Sequence, residues 1–349
     1  MKFYGCISLT SLYLNINGRI DSDDKAIASC CEVLPDGAQV PAVSMEGSAE
    51  DILDNFINNR NSVIDYLKEE GNKAKKIRKD EWLGCKKCKR LQKKNWDVQS
   101  SIKYVNFSAY PSPCQCKCIY CFACLNWENT PKVKQAYEKM FDVVELAEKK
   151  GLISADADWQ VSSGEIAIHP YKERFLRIVE NKKVSFYTNA FIYDEDIANI
   201  LKKNKNARLN ISIDAGTPQT WKKIKGIDNF KEVCENLIAY RKAALDANQI
   251  EIKYIILPGI NDSKGDGEGL LKLLASLGIS YVTFSRDVLV KYSKRENYRL
   301  FKSAARLFWL CLRNNISVVE YYYSSKELRK IRVIIRWNRL KSIITRKQY

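Results

Sequence analysis

The chain has 349 residues, 46% of them hydrophobic and 28% charged, and its formal net charge is +17. These values are ordinary for a soluble globular protein with room for one large domain and a smaller one. We see no apolar run long enough to span a bilayer and no signal-peptide pattern in the first residues, so we expect a cytoplasmic protein. The single histidine, His169, excludes sites built from several histidines.

The charge is distributed unevenly along the chain. Residues 21–70 hold twelve acidic side chains and three basic ones, whereas residues 72–94 are strongly basic. The last 25 residues carry nine Lys or Arg and one Glu. A basic surface favours an anionic partner such as nucleic acid, a phosphorylated sugar or a lipid headgroup layer. Simple solvation of the surface is the alternative explanation.

Residues 1–97 form a cysteine-rich region without a regular strand–helix rhythm. They contain a possible hairpin at residues 12–20 and a predicted helix near 48–70. Twelve cysteines in a cytosolic chain indicate metal or redox chemistry rather than disulfides. Zinc and an iron–sulfur cluster both suit the cysteines of this region. The candidates for such an auxiliary site are Cys30, Cys31, Cys85 and Cys88, with Cys6 as a further candidate.

Strands and helices alternate regularly over residues 98–290. Such alternation, with apolar strands, predicts an α/β fold of parallel strands joined by right-handed crossovers. Six units are fewer than the eight that close a full barrel. The predicted strands are 102–108, 157–162, 183–187, 208–213, 250–257 and 280–285. The predicted helices are 131–150, 171–180, 193–204, 229–247 and 265–277.

Three cysteines follow the first of these strands at C-x3-C-x2-C spacing: Cys114, Cys118 and Cys121, with the aromatic Tyr120 before the last. Three thiolates on one short loop can bind three irons of a cubic iron–sulfur cluster and leave the fourth iron open for chemistry. A closed zinc site is the alternative, because Cys116 or Cys124 offers a fourth thiolate.

Polar residues follow the later strands. After the second strand, Gly164 permits close backbone approach to a ligand, and Glu165 can accept a hydrogen bond from an ammonium group. On the fourth strand, alternation places Asn210, Ser212 and Asp214 on one face. Asp214 has a second interpretation as a cap for the next helix. Lys253 on the fifth strand could meet a carboxylate or phosphate, or could reach water at a helix interface.

Residues 291–349 form a C-terminal extension. We predict a helix at 296–314, an aromatic strand, and a basic final helix. Val333, Trp337, Leu340 and Ile344 lie on one face of that helix, with Arg and Lys beside them. This pattern is typical of a helix that rests on an anionic membrane surface, and equally of one that docks on the protein with a basic outer face. The first interpretation predicts a membrane-peripheral protein.

The cysteine triplet and the strand–helix series resemble the radical S-adenosylmethionine (radical SAM) superfamily over roughly residues 100–290. The resemblance implies a (βα)6 partial TIM barrel, a [4Fe-4S] cluster on Cys114, Cys118 and Cys121, bound S-adenosylmethionine, and an electron donor such as flavodoxin or ferredoxin. It also implies a second iron–sulfur cluster in a SPASM- or twitch-like region, here at the N-terminus. The cofactor-binding residues it implies are Tyr120, Ser163, Gly164, Glu165, Asn189, Ser212 and Asp214.

The resemblance implies an enzyme that reductively cleaves S-adenosylmethionine to a 5′-deoxyadenosyl radical, which abstracts a substrate hydrogen. The cysteine pattern is similar to that of little-characterised radical SAM proteins of sugar or surface-polysaccharide pathways, so we expect a sugar or polysaccharide precursor as substrate. A peptide maturase is the alternative. An RNA-modifying enzyme has only the basic charge in its favour, and the non-enzymatic alternative is a zinc-bound scaffold that binds nucleic acid.

Overall fold

A computed structural model describes residues 2–20, 26–30, 42–69, 88, 90–121, 127–288 and 290–346, with the backbone alone for 338–346. The helices are α1 (Ile7–Thr10), α2 (Ala49–Glu69), α3 (Pro131–Lys149), α4 (Lys172–Val179), α5 (Glu195–Lys203), α6 (Pro218–Lys225), α7 (Phe230–Ala243), α8 (Lys264–Leu277), α9 (Lys294–Arg313) and α10 (Ser325–Arg346). The strands are β1 (Lys2–Gly5), β2 (Tyr13–Arg19), β3 (Ile27–Ala28), β4 (Gln92–Asn95), β5 (Ile102–Tyr110), β6 (Ile153–Val161), β7 (Lys183–Thr188), β8 (Arg208–Ser212), β9 (Ile250–Ile256), β10 (Tyr281–Arg286) and β11 (Ser317–Tyr321).

The chain divides into two compact units, and the division falls within β7. The first unit comprises Met1–Cys114 and Phe122–Phe186, and the second comprises Gln115–Cys121 and Tyr187–Tyr349. In the first unit the strand order is β3-β2-β5-β6-β7, and β1 pairs separately with β4. Strand β2 runs parallel to β5, which in turn runs parallel to β6.

The second unit continues the same kind of sheet. Its strand order is β7-β8-β9-β10-β11, and β8, β9, β10 and β11 pair in parallel. In register, Ser212 of β8 lies beside Lys253 of β9, which lies beside Thr283 of β10. Because paired residues of parallel strands point to the same face, these three polar side chains share one face of the sheet.

The predicted α/β class is confirmed. All six strands predicted between residues 98 and 290 occur, as β5 to β10, and most strand pairs are parallel. Among the described strands, β3 is the outermost of the first unit's row and β11 the outermost of the second unit's row. None of the described helices is long and apolar enough to cross a membrane.

Two local predictions were wrong. Residues 12–20 were expected to contain a hairpin, but they form the single strand β2, which pairs antiparallel with β3 and parallel with β5, more than eighty residues later. Helix α6 was not predicted, because it has only eight residues and three of them are lysines. Both errors concern elements whose stability comes from distant contacts rather than from a local pattern.

An aromatic cluster of the first unit encloses the only histidine. His169 is 4% exposed and lies against the rings of Tyr137 (4.9 Å between centroids) and Phe175 (5.1 Å). Its Nδ1 accepts a hydrogen bond from the Tyr171 backbone N–H at 3.2 Å. Burial lowers the pKa of His169 to about 3, so the folded protein holds a neutral imidazole at neutral pH.

This buried imidazole predicts acid sensitivity of the fold. The unfolded chain binds the proton from about pH 6.5 downward and the folded chain only near pH 3, so stability is lost across that window as the pH falls. Between pH 7.5 and pH 5.0, His169 should account for about 2 kcal/mol of lost unfolding free energy. Urea denaturation of wild type and His169→Gln at both pH values measures this.

Phe175→Leu is the matched control, because it removes packing from the same cluster without removing a titrating group. It should lose similar stability at both pH values. An unchanged pH dependence in His169→Gln would show that the imidazole is not the acid-sensitive group.

Candidate functional site

The cysteine loop begins in the first unit, directly after β5. Here the end of β6 approaches the loop backbone: the Glu165 N–H donates to the Pro113 carbonyl at 2.7 Å, one residue before Cys114. Gly164 has φ +58, and a Cβ at this position would clash with the Pro113 carbonyl oxygen and lie 2.7 Å from Ser112 Cβ. A glycine is therefore required, both for the left-handed backbone and for the close approach.

The predicted cofactor residues beside Gly164 are deeply buried. Glu165 is 1% exposed, and its carboxylate caps a short 3-10 helix at Ile166–Ile168 by accepting from the Ala167 N–H at 3.2 Å. Ser163 is 2% exposed, and its Oγ has no hydrogen-bond partner among the described residues. Because an unmade hydrogen bond in a buried position costs free energy, Ser163 Oγ is a position for a ligand's polar group.

The rest of the loop, residues 115–121, belongs to the second unit. The backbone N–H groups of Lys117 and Ile119 donate to the carbonyls of Lys225 (2.8 Å) and Ile224 (3.0 Å). The Cys121 N–H donates to the Cys118 carbonyl at 3.0 Å, which makes a tight turn around Tyr120. The last carbonyls of a helix have no partner within that helix, so α6 offers the loop ready acceptors.

Helix α6 has clear start and stop signals in hindsight. Thr217 caps its N-terminus by accepting from the Thr220 N–H, and Pro218 occupies the first helical position. Gly226 ends the helix in the left-handed conformation with φ +75. A Cβ at Gly226 would lie 3.1 Å from Lys117 Cβ, so this glycine also makes room for the cysteine loop.

A buried polar cluster lies where α6, β8 and the loop meet. Lys225 is 2% exposed and Asp214 0% exposed in side-chain terms, and they form an ion pair of 2.7 Å between Nζ and Oδ2. Lys225 Nζ also donates to Tyr120 Oη at 2.6 Å and to the Ser212 carbonyl at 2.7 Å. The Tyr120 hydroxyl donates to the same Asp214 oxygen. We call Tyr120, Asp214 and Lys225 the Tyr–Asp–Lys cluster.

Asp214 sits in a constrained backbone conformation. Its φ is +51, which an L-residue rarely adopts. Asp214 Oδ1 accepts from the Ile255 N–H at 2.5 Å, and its carbonyl accepts from Asn261 Nδ2 at 2.8 Å. Because the helix cap is Thr217, the interpretation of Asp214 as a helix cap was wrong. The carboxylate instead joins β8, β9 and α6.

Burial and charge alter the titration of this cluster. Burial, with the nearby Asp214 carboxylate and Cys118 thiol, raises the pKa of Tyr120 well above its usual value, so the phenol stays protonated. Burial alone would lower the pKa of Lys225, but Asp214 and then Cys118 outweigh it and the net pKa is raised. The lysine is therefore a permanent buried cation beside the loop.

The remaining predicted residues of the second unit lie on its strands or directly after them. Asn189 accepts from Gln115 Nε2 of the loop at 3.4 Å, and Asn210, 8% exposed, has an Oδ1 without a partner among the described residues. Lys253 is half-buried, and no ion pair joins it to a described residue within 4 Å. Burial lowers the pKa of Lys253, and the charge of Lys225 adds to this, while the carboxylates of Asp214 and Glu251 offset it only in part. Thr283 donates to Glu251 at 2.7 Å on the same sheet face as Lys253.

Two of the auxiliary-site candidates, Cys31 and Cys85, lie outside the described residues. Cys30 is buried and Cys6 packs against the same hydrophobic cluster, while Cys88 is half-buried. Among the described residues, which include Cys114, Cys118 and Cys121, no three Cys, His, Asp or Glu side chains are arranged to hold a metal ion. The auxiliary cluster stays a prediction.

The final helix, α10, has both buried and exposed apolar side chains. Ile331 is completely buried, whereas Val333 and Trp337 of the predicted apolar face are 47% and 62% exposed. The side chains of Leu340 and Ile344 lie outside the described part. Glu327, the one acid of this segment, pairs with Arg286 at 2.6 Å. Contact with an anionic membrane surface stays a prediction.

Lys225 is the buried cation of this cluster that sequence reasoning missed. In the sequence around Lys225, the only distinguishing feature is its position immediately before Gly226, at the end of an unpredicted helix. Its partner Asp214 lies eleven residues earlier, and Tyr120 is 105 positions away along the chain. The only usable signal was that Lys225 precedes a helix-ending glycine, and that signal says nothing about burial.

Comparison with known proteins identifies the domain that contains these residues. Residues 113–274 match the family model of the radical SAM superfamily. GTP 3′,8-cyclase of Petrotoga mobilis is 24% identical over 192 residues, which cover 53% of this chain and 56% of that protein. A protein of Saccharolobus solfataricus named as a probable GTP 3′,8-cyclase is 29% identical over 146 residues, covering 40% of this chain and 43% of the relative. The match thus spans about half the length of each relative.

Solved structures give weaker likenesses. SuiB of Streptococcus suis bound to its precursor peptide SuiA has a TM-score of 0.47 at 16% identity, covering 64% of this chain and 49% of SuiB. A radical SAM methyltransferase from Sphaerobacter thermophilus has a TM-score of 0.39 at 13% identity, covering 60% of this chain and 63% of that chain.

The predicted superfamily is confirmed: residues 113–274 are a radical SAM domain. The domain and the named relatives indicate that the protein is an enzyme. A radical SAM domain implies a [4Fe-4S] cluster and S-adenosylmethionine. The donor chemistry of the residues present fits these groups, because the loop carries three thiols and the buried oxygens of Ser163 and Asn210 have no partner among the described residues.

The close approach at Gly164 predicts a sharp effect of one methyl group. Gly164→Ala should destabilise the protein by about 2–4 kcal/mol, because backbone strain adds to a clash with the residues before Cys114. Gly151→Ala is the matched control, since Gly151 has φ +67 but open space around its Cβ position. Chemical denaturation of both variants measures the difference. Equal losses would mean that strain alone, without close approach, explains Gly164.

Proposed function

We propose that Cys114, Cys118 and Cys121 bind a [4Fe-4S] cluster and that the enzyme cleaves S-adenosylmethionine to abstract hydrogen from a substrate. When bound, the cluster supplies the electron that splits the cofactor's carbon–sulfur bond to a 5′-deoxyadenosyl radical. The observation that carries the proposal is the match of residues 113–274, which begins one residue before Cys114. Cluster chemistry requires cysteine ligands and an open iron position, and this spacing provides both.

The chain's own residues have separate tasks in this proposal. Gly164 lets the backbone at the end of β6 approach a ligand closely, and Ser163 Oγ and Glu165 offer acceptors for the cofactor's amino group. Asn189, Ser212 and Asn210 belong to the second unit's polar residues and are suited to a ribose or a carboxylate. Tyr120 and Asp214 are fully engaged with Lys225, so their task is to shape the loop rather than to bind the cofactor through those side-chain atoms.

The product of uncoupled cleavage tests the site directly. Anaerobic reconstitution with iron and sulfide, then incubation with S-adenosylmethionine and dithionite, should yield 5′-deoxyadenosine, measured by chromatography. Cys118→Ala should abolish this product, because two thiolates hold the cluster poorly. Cys234→Ala, which removes a half-buried thiol in α7, is the control and should retain it. Product formation by Cys118→Ala, or bound zinc in place of iron, would refute the assignment.

Iron quantification in the same experiment addresses the N-terminal cysteines. We propose an auxiliary iron–sulfur cluster on Cys30, Cys31, Cys85 and Cys88, with Cys6 as a further candidate. About four irons in excess of the Cys114–Cys118–Cys121 cluster would support it. The electron donor in the cell is proposed to be a small cytoplasmic redox protein such as flavodoxin or ferredoxin.

For the substrate, we propose a small molecule that carries an anionic group, of the sugar phosphate or sugar nucleotide kind. Lys253 supports this, because a half-buried lysine that forms no ion pair within 4 Å with a described residue, and is only partly balanced by the more distant Asp214 and Glu251, is stabilised further by an anion. The relatives named GTP 3′,8-cyclase are, by that name, enzymes of a phosphate-bearing nucleotide. A peptide substrate is the alternative, since a peptide carboxylate could use the same lysine. Nucleic acid has only the overall basic charge in its favour.

Lys253 gives this substrate proposal a binding test. Pyrophosphate, GTP and UDP-glucose are suitable probes, and at least one should raise the unfolding temperature of wild type. Lys253→Met should weaken that probe's binding at least tenfold, whereas Lys253→Arg should retain most of it. Lys272→Met, which removes an exposed lysine of α8, is the control. If no phosphate probe binds, or if Lys253→Met binds equally well, the anionic substrate proposal fails.

A further inference from the structure

The ammonium group of Lys225 is saturated by the protein itself. A lysine side chain has three N–H donors. In Lys225 they have three acceptors at short distances: Tyr120 Oη at 2.6 Å, Asp214 Oδ2 at 2.7 Å and the Ser212 carbonyl at 2.7 Å. The Nζ also lies 5.2 Å from the Tyr120 ring centroid and 5.4 Å from that of Trp221. No donor is left for a substrate or cofactor, so Lys225 acts on its protein neighbours.

Those neighbours surround one cysteine of the triplet. Cys118 is flanked by Lys117 and Ile119, whose N–H groups bind the carbonyls of Lys225 and Ile224. Two residues after Cys118, the Tyr120 side chain binds the Lys225 ammonium. Lys225 therefore forms two hydrogen bonds to the loop, one through its backbone carbonyl and one through its side chain. Cys118 therefore lies between two backbone hydrogen bonds to the last turn of α6.

We propose that Lys225 is a positioning residue of the radical SAM site: it holds the Lys117–Cys121 turn in place and sets a positive charge beside this turn, which contains Cys118. This inference rests on the proposed function, because it assigns Cys118 to the cluster. Asp214 balances the cation and keeps it in place. The Tyr–Asp–Lys cluster thus contributes both geometry and electrostatics to a site that it does not line with ligands.

The electrostatic part has a consequence of definite sign. The reduction potential of an iron–sulfur cluster depends on nearby charge, because reduction adds an electron. Removing the Lys225 cation should disfavour the reduced cluster, and removing the Asp214 anion should favour it. A residue that mattered only for folding would shift the potential in the same direction in both variants, or not at all.

A redox titration of the reconstituted protein, followed by electron paramagnetic resonance, tests this. Asp214→Asn should increase the reduced-to-oxidised ratio at fixed potential about tenfold, equivalent to 59 mV for one electron. Lys225→Met should decrease that ratio similarly, and Lys225→Arg should restore it. Lys222→Met is the control, because Lys222 lies on the same helix, is 64% exposed and pairs with Asp228 instead. Shifts of equal sign, or none, would overturn the electrostatic part of the proposal.

Lys225→Met leaves the Asp214 carboxylate buried without its counter-charge, and that variant is at risk of unfolding. The double variant Lys225→Met/Asp214→Asn avoids this risk, because it removes both charges together. Compared with Asp214→Asn alone, the double variant should show the lower potential. The sign comparison then still decides the proposal.

The geometric part is tested without any cluster. In the metal-free protein, hydrogen exchange at the Lys117 and Ile119 amides should be at least tenfold faster in Tyr120→Phe than in wild type, because the loop loses its side-chain link to Lys225. Unchanged exchange would overturn the positioning role. If wild type binds no iron, the proposed function fails while the exchange result still stands, so the two failures are distinguishable.

Discussion

The ion pair between Lys225 and Asp214 is the interaction on which the second unit's site depends. Burial of two charges is costly, and removing one partner of such a pair typically costs about 3–5 kcal/mol. Here the hydrogen-bonding groups of both side chains have partners. Lys225 also donates to Tyr120 and to the Ser212 carbonyl, and the Asp214 carboxylate also accepts from the Ile255 N–H. The unusual backbone of Asp214, with φ +51, persists because these contacts over-determine it.

A different physical device holds the beginning of the loop, in the first unit. There the constraint is steric: Gly164 allows two backbone segments to approach more closely than any side chain would permit, and one hydrogen bond joins Glu165 to Pro113. The loop that carries the cysteines is thus built from backbone hydrogen bonds on both of its segments.

Sequence reasoning was accurate for features that depend on neighbouring residues and failed for features that depend on residues far apart in the chain. Strands β5 to β10 were predicted because continuous apolar, β-branched runs mark buried parallel strands locally. The cysteine spacing marked the loop for the same reason, since the ligands of a cluster must be close in sequence to share one turn. The pairing of β2 with β5, the short helix α6 and the role of Lys225 were missed, because each depends on residues far apart in the chain.

By itself, the sequence determined the class of the protein: an α/β radical SAM domain with its cysteine triplet, Gly164 and the polar residues of β8. These are local patterns, which can be recognised in the sequence without knowledge of the tertiary structure. The tertiary structure alone decided that Asp214 pairs with Lys225, that Tyr120 completes the pair, and that Lys253 is half-buried without an ion pair to a described residue. Burial and charge pairing are properties of neighbours in space, and no spacing along the chain specifies them.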